Sequence, residues 1–446
     1  MTTPHEVLAS ARCSVAAPAG CGKTQLIADA VALSEGRELV LTHTNAGVQA
    51  IRHRVSAKKQ GSTSLVCTMD SWCQSFIRSF PSLSDTHDID ELPVKEYWPA
   101  LRAGMLRLLE FESVQAILKS SYTGVFVDEY QDCGEPQHQI VSRLAALLPV
   151  RVLGDPMQAI FGFDGVVEWA IVEAMFPPLT PLDEPHRWNK TNPQLGQVVQ
   201  TARDQLQGGT AAQLPSSTVT ELIDSGNLQQ NVQLIREYAE RYPGESVAVI
   251  YRNKIQVELF SRASGGAFQI IEKVEPDIMV QCRQIDSKTG KDIVTPLIGA
   301  IKTLALKSEF ERVVEQLKGR DIVARAVDGP DASGYAVDVL DALVGVGFKP
   351  FRWELWWDLR KAIDLWSRGP TTGLGDSLRQ TRAARSRRGR VLKKWHVGLQ
   401  HVIKGLEFDH TIVCDSGESS ELAYVSISRS SKTMAIMGEH RLLRVV

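Results

Sequence analysis

The stretch APAGCGKTQLI, Ala17 to Ile27, decides how this chain is read. Gly20, Cys21, Gly22, Lys23 and Thr24 lie between a short apolar run, CSVAA from Cys13 to Ala17, and TQLIADAVALSEG. The first predicts a buried strand. The second carries apolar residues at 26, 27, 30, 31 and 33 and predicts a helix that stops near Gly36. A strand, a glycine-rich turn and a helix N-terminus together aim backbone N–H groups at an anion. In that setting Lys23 would reach the β- and γ-phosphates of a nucleotide, and Thr24 would hold Mg2+. Ala17 stands where the strict pattern has glycine, but the glycines nearest the phosphates are present. The bland alternative, a chance G-x-G-K-T in a loop, is disfavoured by the strand and helix on either side.

The second half of an ATP site should be a strand that ends in carboxylates. TGVFVDEYQDC, Thr123 to Cys133, has that form: Val125, Phe126 and Val127, then Asp128 and Glu129. Asp128 would join the Mg2+ shell. Glu129 would position or deprotonate the attacking water. Taken alone, this is equally well a solvated acidic turn; the loop at Ala17–Thr24 tips the balance.

The 446 residues predict two to four domains at roughly 100–200 residues each. With 43% hydrophobic and 23% charged residues the composition is ordinary for a globular protein. A formal net charge of -2 leaves nucleic-acid contact to local basic patches. The 7 cysteines form no C-x-x-C pair, which disfavours a zinc site or a disulfide framework and leads us to expect a reduced, cytoplasmic setting. No signal peptide and no membrane span is expected.

Further segments then fall into order: LVLTHTNAGVQAIRHRV (Leu39–Val55), VCTMDSWCQSF (Val66–Phe76), VFVDEYQDC, VLGDPMQAIFGFDG (Val152–Gly165), PHRW (Pro185–Trp188), HVIKGLEFDHTIV (His401–Val413) and LAYVSISRSSKTM (Leu422–Met434). This series resembles the ordered motifs of the UvrD/Rep/PcrA-like superfamily 1A helicases. The resemblance implies an α/β fold with two RecA-like P-loop domains, parallel sheets and ATP between them. We place the first domain at residues 1–180, with a small insertion near 80–120. The second then covers 181–446, with a reduced helical insertion near 290–390.

The resemblance also implies roles. Ala19, Gly20, Cys21, Gly22, Lys23, Thr24 and Gln25 would cradle the nucleotide. Gln158 would sense the γ-phosphate. Arg187 and Arg429 would be arginine fingers. Gly405 and Glu407 would meet the ribose side, and His186 stands where the family has an adenine-stacking tyrosine. Thr42, His43, Thr44, Asn45, Ser71, Trp72 and His401 would line the path of single-stranded DNA. Phe161 and Phe163 occupy base-contacting positions; we prefer strand contact for Phe163 and leave Phe161 open between strand and core.

Elementary chemistry runs alongside. Hydrolysis spreads negative charge over the γ-phosphate oxygens, and a planar guanidinium matches that geometry. Each arginine taken alone is more often a surface ion pair; its place in the series reverses that. The run LRQTRAARSRRGRVLKKWH holds Arg379, Arg382, Arg385, Arg387, Arg388, Arg390, Lys393 and Lys394 with no acid between them. It reads as a phosphate-tracking patch or as a solvated linker.

The chain also departs from the family. No glutamine precedes the phosphate loop to read adenine, which leaves ATP against GTP open. His43 replaces a common Phe, Asp70 a common His and Ser428 a usual Thr. The insertions are short. FPSLSDTHDIDELP (Phe80–Pro93) opens the first with acidic loop chemistry before the helical KEYWPALRAGMLRLLEF. The second contains helical TPLIGAIKTLAL and SEFERVVEQLKG, then FRWELWWDLRKAIDLW, whose Trp353, Trp356, Trp357 and Trp366 are expected in a core or, alternatively, on a partner-binding face. GGTAAQLPSSTV (Gly208–Val219) is the candidate linker.

The expectation is therefore an ATP-dependent translocase or helicase acting on single-stranded or tailed DNA, with 3′–5′ polarity implied by resemblance alone. The rival is a DNA-stimulated ATPase sensor without autonomous unwinding that serves a protein partner such as a nuclease, in a setting such as phage defence. An unrelated P-loop ATPase or kinase does not account for the later motifs.

Overall fold

The computed structural model describes residues 1–59, 61–86, 89, 94–160, 165, 167–271, 278–286, 288, 290–305, 307–317, 332–350, 352–369, 373–388 and 395–446. Phe161, Phe163, Arg390, Lys393 and Lys394 lie outside these residues, as do the side chains of Asn45, Arg385, Arg387 and Arg388.

The chain forms two compact units. The first comprises Met1–Glu221, Lys404–Asp409 and Ser416–Val446. Its sheet is built from β1 (Arg12–Ala16), β2 (Glu38–Thr42), β3 (Leu65–Thr68), β4 (Gly124–Val127) and β5 (Val150–Gly154), in the spatial order β1-β5-β4-β2-β3 with every pairing parallel. A parallel sheet is covered on both faces, so its strands read as apolar runs. β2, β4 and β5 are buried at every position. Side chains alternate between faces. Leu39, Leu41, Val125, Val127, Val150 and Val152 pack with Trp72, Met105, Leu118 and Phe176. Val40, Phe126 and Leu153 pack on the other face with Val15, Ile27, Val31 and Ile51. Loops after β1, β4 and β5 leave the carboxyl end of the sheet, the edge where α/β folds place their ligands.

The first unit continues beyond the sheet. β6 (Ala212–Leu214) pairs in parallel with β13 (Leu443–Val445), and β7 (Val219–Leu222) lies beside β12 (Ser430–Met437). The segment expected as a linker therefore contains a strand: alternation of Ala212 and Leu214, both buried, outweighs the surrounding turn residues. In the first insertion the helix Val94–Leu108 forms with Pro99 inside it.

The second unit comprises Leu222–Ile403 and His410–Asp415. β8 (Val247–Tyr251) is flanked by β11 (Phe408–Val413) and β10 (Trp395–Leu399), and β9 (Gln269–Ile270) pairs with β10, again all parallel. Its helices at 278–388 enclose a separate core around Leu297, Leu340, Leu355, Trp356 and Leu359. The tryptophans of Trp353–Ser367 divide: Trp356 is buried, whereas Trp357 is 50% exposed beneath the Arg360 guanidinium. Of the basic run, Arg382 is buried and donates to Asp358 Oδ2 at 2.8 Å. That arginine is a packing residue and not a phosphate contact, because its charge is already matched inside the helix pair.

Among the described residues no helix is long and apolar enough to cross a membrane.

Candidate nucleotide site

Gly20 and Gly22 hold φ of +75° and +89°, conformations that glycine enters without a Cβ penalty. Gly22 is the N-cap of the helix Lys23–Leu33 and supplies no side-chain cap, so the first N–H groups of the helix stay available to an anion. The close approach is also steric. A Cβ on Gly20 would fall 2.8 Å from the Trp188 ring and 2.9 Å from Arg187 Cβ.

A cavity of about 440 Å³ opens over this turn, within the first unit. It brings together Ala19, Gly20, Gly22, Lys23, Thr24 and Gln25 from the loop and helix, Glu129 and Gln158 from the ends of β4 and β5, and His186, Arg187, Gly405, Glu407 and Arg429 from later segments. The volume falls within the range of small-ligand pockets. Cys21 turns its side chain into the core. Asp128 is buried below the opening.

The Lys23 ammonium lies 2.8 Å from Glu129 Oε1 and 3.8 Å from Asp128 Oδ1. Burial alone would lower the Lys23 pKa; Glu129 and then Asp128 more than offset it and raise it. Glu129 is held low: burial opposes ionisation, and Lys23 with Lys404 overcomes it. Asp128 is raised, chiefly by burial. Glu129 itself has φ +57°, a left-handed conformation unusual outside glycine. Strain of that kind is held by its surroundings and concentrates at functional sites. Here Gln131 Nε2 donates to Glu129 Oε2, and Glu129 N–H donates to Asp128 Oδ1.

Gln158 sits in a chain of donors and acceptors. Its Nε2 donates to Asp155 Oδ2 at 2.8 Å, and its Oε1 accepts from Arg429 Nη2 at 3.0 Å. Burial and the neighbouring Arg187 lower the Arg429 pKa to about 10, leaving it cationic near neutral pH. Arg187 Nε reaches Glu407 Oε2 at 2.9 Å. Lys404, in VIKGLEF, bonds Asp132 Oδ1 and the Gln158 carbonyl. His186 is half-exposed beside Gly22, 3.4 Å from Glu184. These groups can bind a polyanion, orient a water and meet charge that develops on a transferred phosphoryl group. Thr24 and Asp128 offer the one or two hard oxygens that Mg2+ takes alongside water and substrate phosphates. The donor set therefore fits that ion.

The expected strand-path residues fare differently. Thr42 is fully buried beside Gly47, and Trp72 is 2% exposed with its ring centroid 5.1 Å from that of Phe76. Neither side chain can stack on a base; both support the loops above them. Thr44 caps the helix Asn45–Lys58 by accepting from Gly47 N–H at 3.0 Å. His43 Nε2 lies 3.4 Å from Cys133 Sγ. Ser71 is exposed at the first turn of Met69–Ser79, with its hydroxyl 2.6 Å from that of Thr68. His401 lies in the second unit, half-buried in the short helix Gln400–Ile403.

Sequence reasoning missed Gln131, Asp155, Lys404 and Tyr424, although all four stand inside quoted motifs. It also missed Arg54, inside the quoted Leu39–Val55 segment, and Arg203, which lies outside every quoted motif. Arg54 lines the cavity.

No curated protein matches the chain at a significant level. A family model does: residues 4–96 and 88–173 match the UvrD/REP helicase N-terminal domain. That match takes in the phosphate loop, the DEYQD carboxylates and Gln158, so residues 4–173 carry a UvrD/REP helicase N-terminal domain.

Proposed function

We propose that the protein is a DNA translocase or helicase that couples ATP hydrolysis in this cavity to movement on single-stranded DNA. The observation that carries the reading is the convergence of Lys23, Glu129, Gln158, Arg187 and Arg429 on one opening.

The loop N–H groups and Lys23 would bind the β- and γ-phosphates. Lys23 would exchange a carboxylate partner for phosphate oxygens, which frees Glu129 to orient the attacking water and accept its proton. Arg187 and Arg429 would balance charge on the γ-phosphate oxygens. Gln158, bonded to Arg429, would register whether that phosphate is present. Mg2+, held by Thr24 and Asp128, would supply further neutralisation of the phosphates.

By family resemblance, single-stranded DNA is the track and the polarity is 3′–5′. The test is ATP turnover with and without single-stranded DNA, together with strand displacement on 3′- and 5′-tailed duplexes. DNA-stimulated turnover with unwinding from the 3′ tail supports the reading; turnover indifferent to DNA overturns it.

One observation favours a second reading, a DNA-stimulated sensor that serves a protein partner such as a nuclease. Trp357 is half-exposed whereas its neighbour Trp356 is buried, and exposed tryptophans are common interface anchors. Stimulated turnover with no unwinding from either tail would favour it.

A further inference from the structure

The aromatic ring of Tyr424 and the guanidinium of Arg203 stand together behind the phosphate loop, and neither lines the cavity. Tyr424 is 1% exposed, and its hydroxyl accepts the Ala19 N–H at 2.9 Å. The loop therefore has one of its backbone donors tied to a side chain 405 residues away in sequence. Arg203, on the helix Pro193–Gln207, lies 5.9 Å from the centroid of the same ring. Its Nη2 is 3.3 Å from Asp155 Oδ1, and Asp155 is fully buried. Gln200, one turn earlier on that helix, brings its Nε2 to 4.0 Å from Cys21 Sγ in the loop.

Asp155 is the hub. Its backbone N–H donates to Gln131 Oε1, the residue that also holds Glu129. Its Oδ2 accepts from Gln158 Nε2. A buried carboxylate with these duties requires a cation, and Arg203 is the one that the structure gives it. Tyr424 has a second connection. It lies on the helix Ser420–Ile427, and the next residue, Val425, accepts from Arg429 Nε at 2.9 Å. The tether to the loop and the anchor of the arginine thus share one short helix.

We infer that Arg203 and Tyr424 are positioning residues of the nucleotide site, locking the phosphate loop, the Gln158 sensor and the Arg429 helix into one frame through Asp155 and the Ala19 N–H. The inference rests on the reading of the cavity as an ATP site. Neither residue touches the nucleotide; each acts by limiting where groups that do touch it can go. Binding should depend on the Tyr424 hydroxyl, and turnover on the Arg203 charge.

The test uses the full chain and two readouts, equilibrium binding of MgATP with a fluorescent analogue as probe, and steady-state turnover. Tyr424→Phe keeps the ring under Arg203 and deletes only the acceptor. It should weaken MgATP binding about fivefold, as expected for one lost hydrogen bond. Arg203→Ala should lower kcat at least tenfold, and Arg203→Lys should recover part of that loss, because a cation beside Asp155 is restored without the fork. A merely structural role would lower stability without changing the Kd or kcat of the folded protein. If Arg203→Ala fails to fold, as read by circular dichroism, Arg203→Lys and Tyr424→Phe decide. Parent-like Kd and kcat in both would overturn the inference. Should the parent protein bind MgATP without hydrolysing it, the proposed function falls, while the Kd of Tyr424→Phe still reads the tether.

Discussion

Lys23 and Glu129 are each other's partner, Nζ to Oε1 at 2.8 Å, although one is the residue expected to meet phosphate and the other the residue expected to steer water. Removing either therefore has a distinct signature. Glu129→Gln keeps the hydrogen-bonding shape and loses the base, so nucleotide binding should persist while turnover falls about 100-fold or more. Lys23→Ala should abolish both. It also leaves Asp128, 2% exposed, without its nearby ammonium, and should lower the unfolding midpoint. Turnover assays beside equilibrium binding separate the two variants. Normal hydrolysis by Glu129→Gln would remove the water-steering role.

Gly20 tests the loop by steric means alone. An alanine there must hold φ near +75° and place its methyl carbon 2.8 Å from the Trp188 ring. Trp188 is fully buried, and its Nε1 donates to the Ser430 carbonyl, so it has nowhere to retreat. Gly20→Ala should cost about 1–3 kcal/mol and weaken nucleotide binding. Denaturant titration measures the first effect and fluorescent-nucleotide titration the second. An alanine variant of parental stability and affinity would show that the loop does not need this approach.

These two cases mark how far the sequence could be read. The phosphate loop and the DEYQD strand were legible because their chemistry is local: glycines, a lysine and carboxylates stand at fixed offsets from an apolar strand. The linker expected at Gly208–Val219 was misread because β6 owes its existence to β13, more than 200 residues later, and turn-rich composition cannot register such a partner. Trp72 and Thr42 were placed on a ligand path by motif position, yet burial is decided by what packs over them. Arg382 looked like its basic neighbours until Asp358 on the preceding helix was seen to match it. Arg203 had no local pattern at all; its role is set wholly by Asp155 and Tyr424.

Arg187 and Arg429 are held differently, and the difference should show in kinetics. Arg187 is anchored by Glu407 and by the Ser428 carbonyl; Arg429 is buried and bonded to Gln158 Oε1 at 3.0 Å. Arg187→Ala should reduce kcat by about 10³-fold or more, the magnitude of a lost arginine finger. Arg429→Lys should not rescue turnover, because an ammonium cannot bond Val425, Gln158 and Ser428 from one fork. Single-turnover measurements check both. A lysine variant of parental rate would mean that charge alone suffices at that position.

His43 gives the first unit a pH signature. Burial is the main reason its pKa falls from 6.5 to about 4; Lys404 and Arg102 push the same way, Glu129 opposes them, and Cys133 Sγ is its hydrogen-bonding neighbour. A depressed pKa contributes stability that is present above pH 6.5 and lost as pH falls towards 4. Between pH 7 and pH 5 the loss from this group should be about 2 kcal/mol. Asp132 works in the opposite sense, because its pKa is raised to about 6 and its contribution is lost as pH rises through that value. It is present in parent and variant alike and cancels in their difference. His43→Phe should therefore lose less stability than the parent between pH 7 and pH 5 in urea titrations. Equal losses would show that the ring is not held neutral.

The second unit separates packing from charge on adjacent helices. Arg382 and Asp358 form a buried pair, 5% and 3% exposed at the side chain. Arg382→Ala should take a buried cation away from Asp358 and cost up to about 3–5 kcal/mol. Trp356, packed at 5.0 Å from the Phe348 ring, should cost a similar amount on truncation to alanine. Trp357, 50% exposed, should cost far less. Urea denaturation of the three variants tests this ranking. The same set bears on DNA binding: if the basic run tracks phosphates, its members other than Arg382 set the salt dependence of affinity, and Arg382→Ala should leave the slope of log Kd against log salt unchanged in whatever fraction stays folded. A shallower slope for that variant alone would mean that Arg382 leaves its pocket to meet the strand, and that the pair with Asp358 is exchanged on binding.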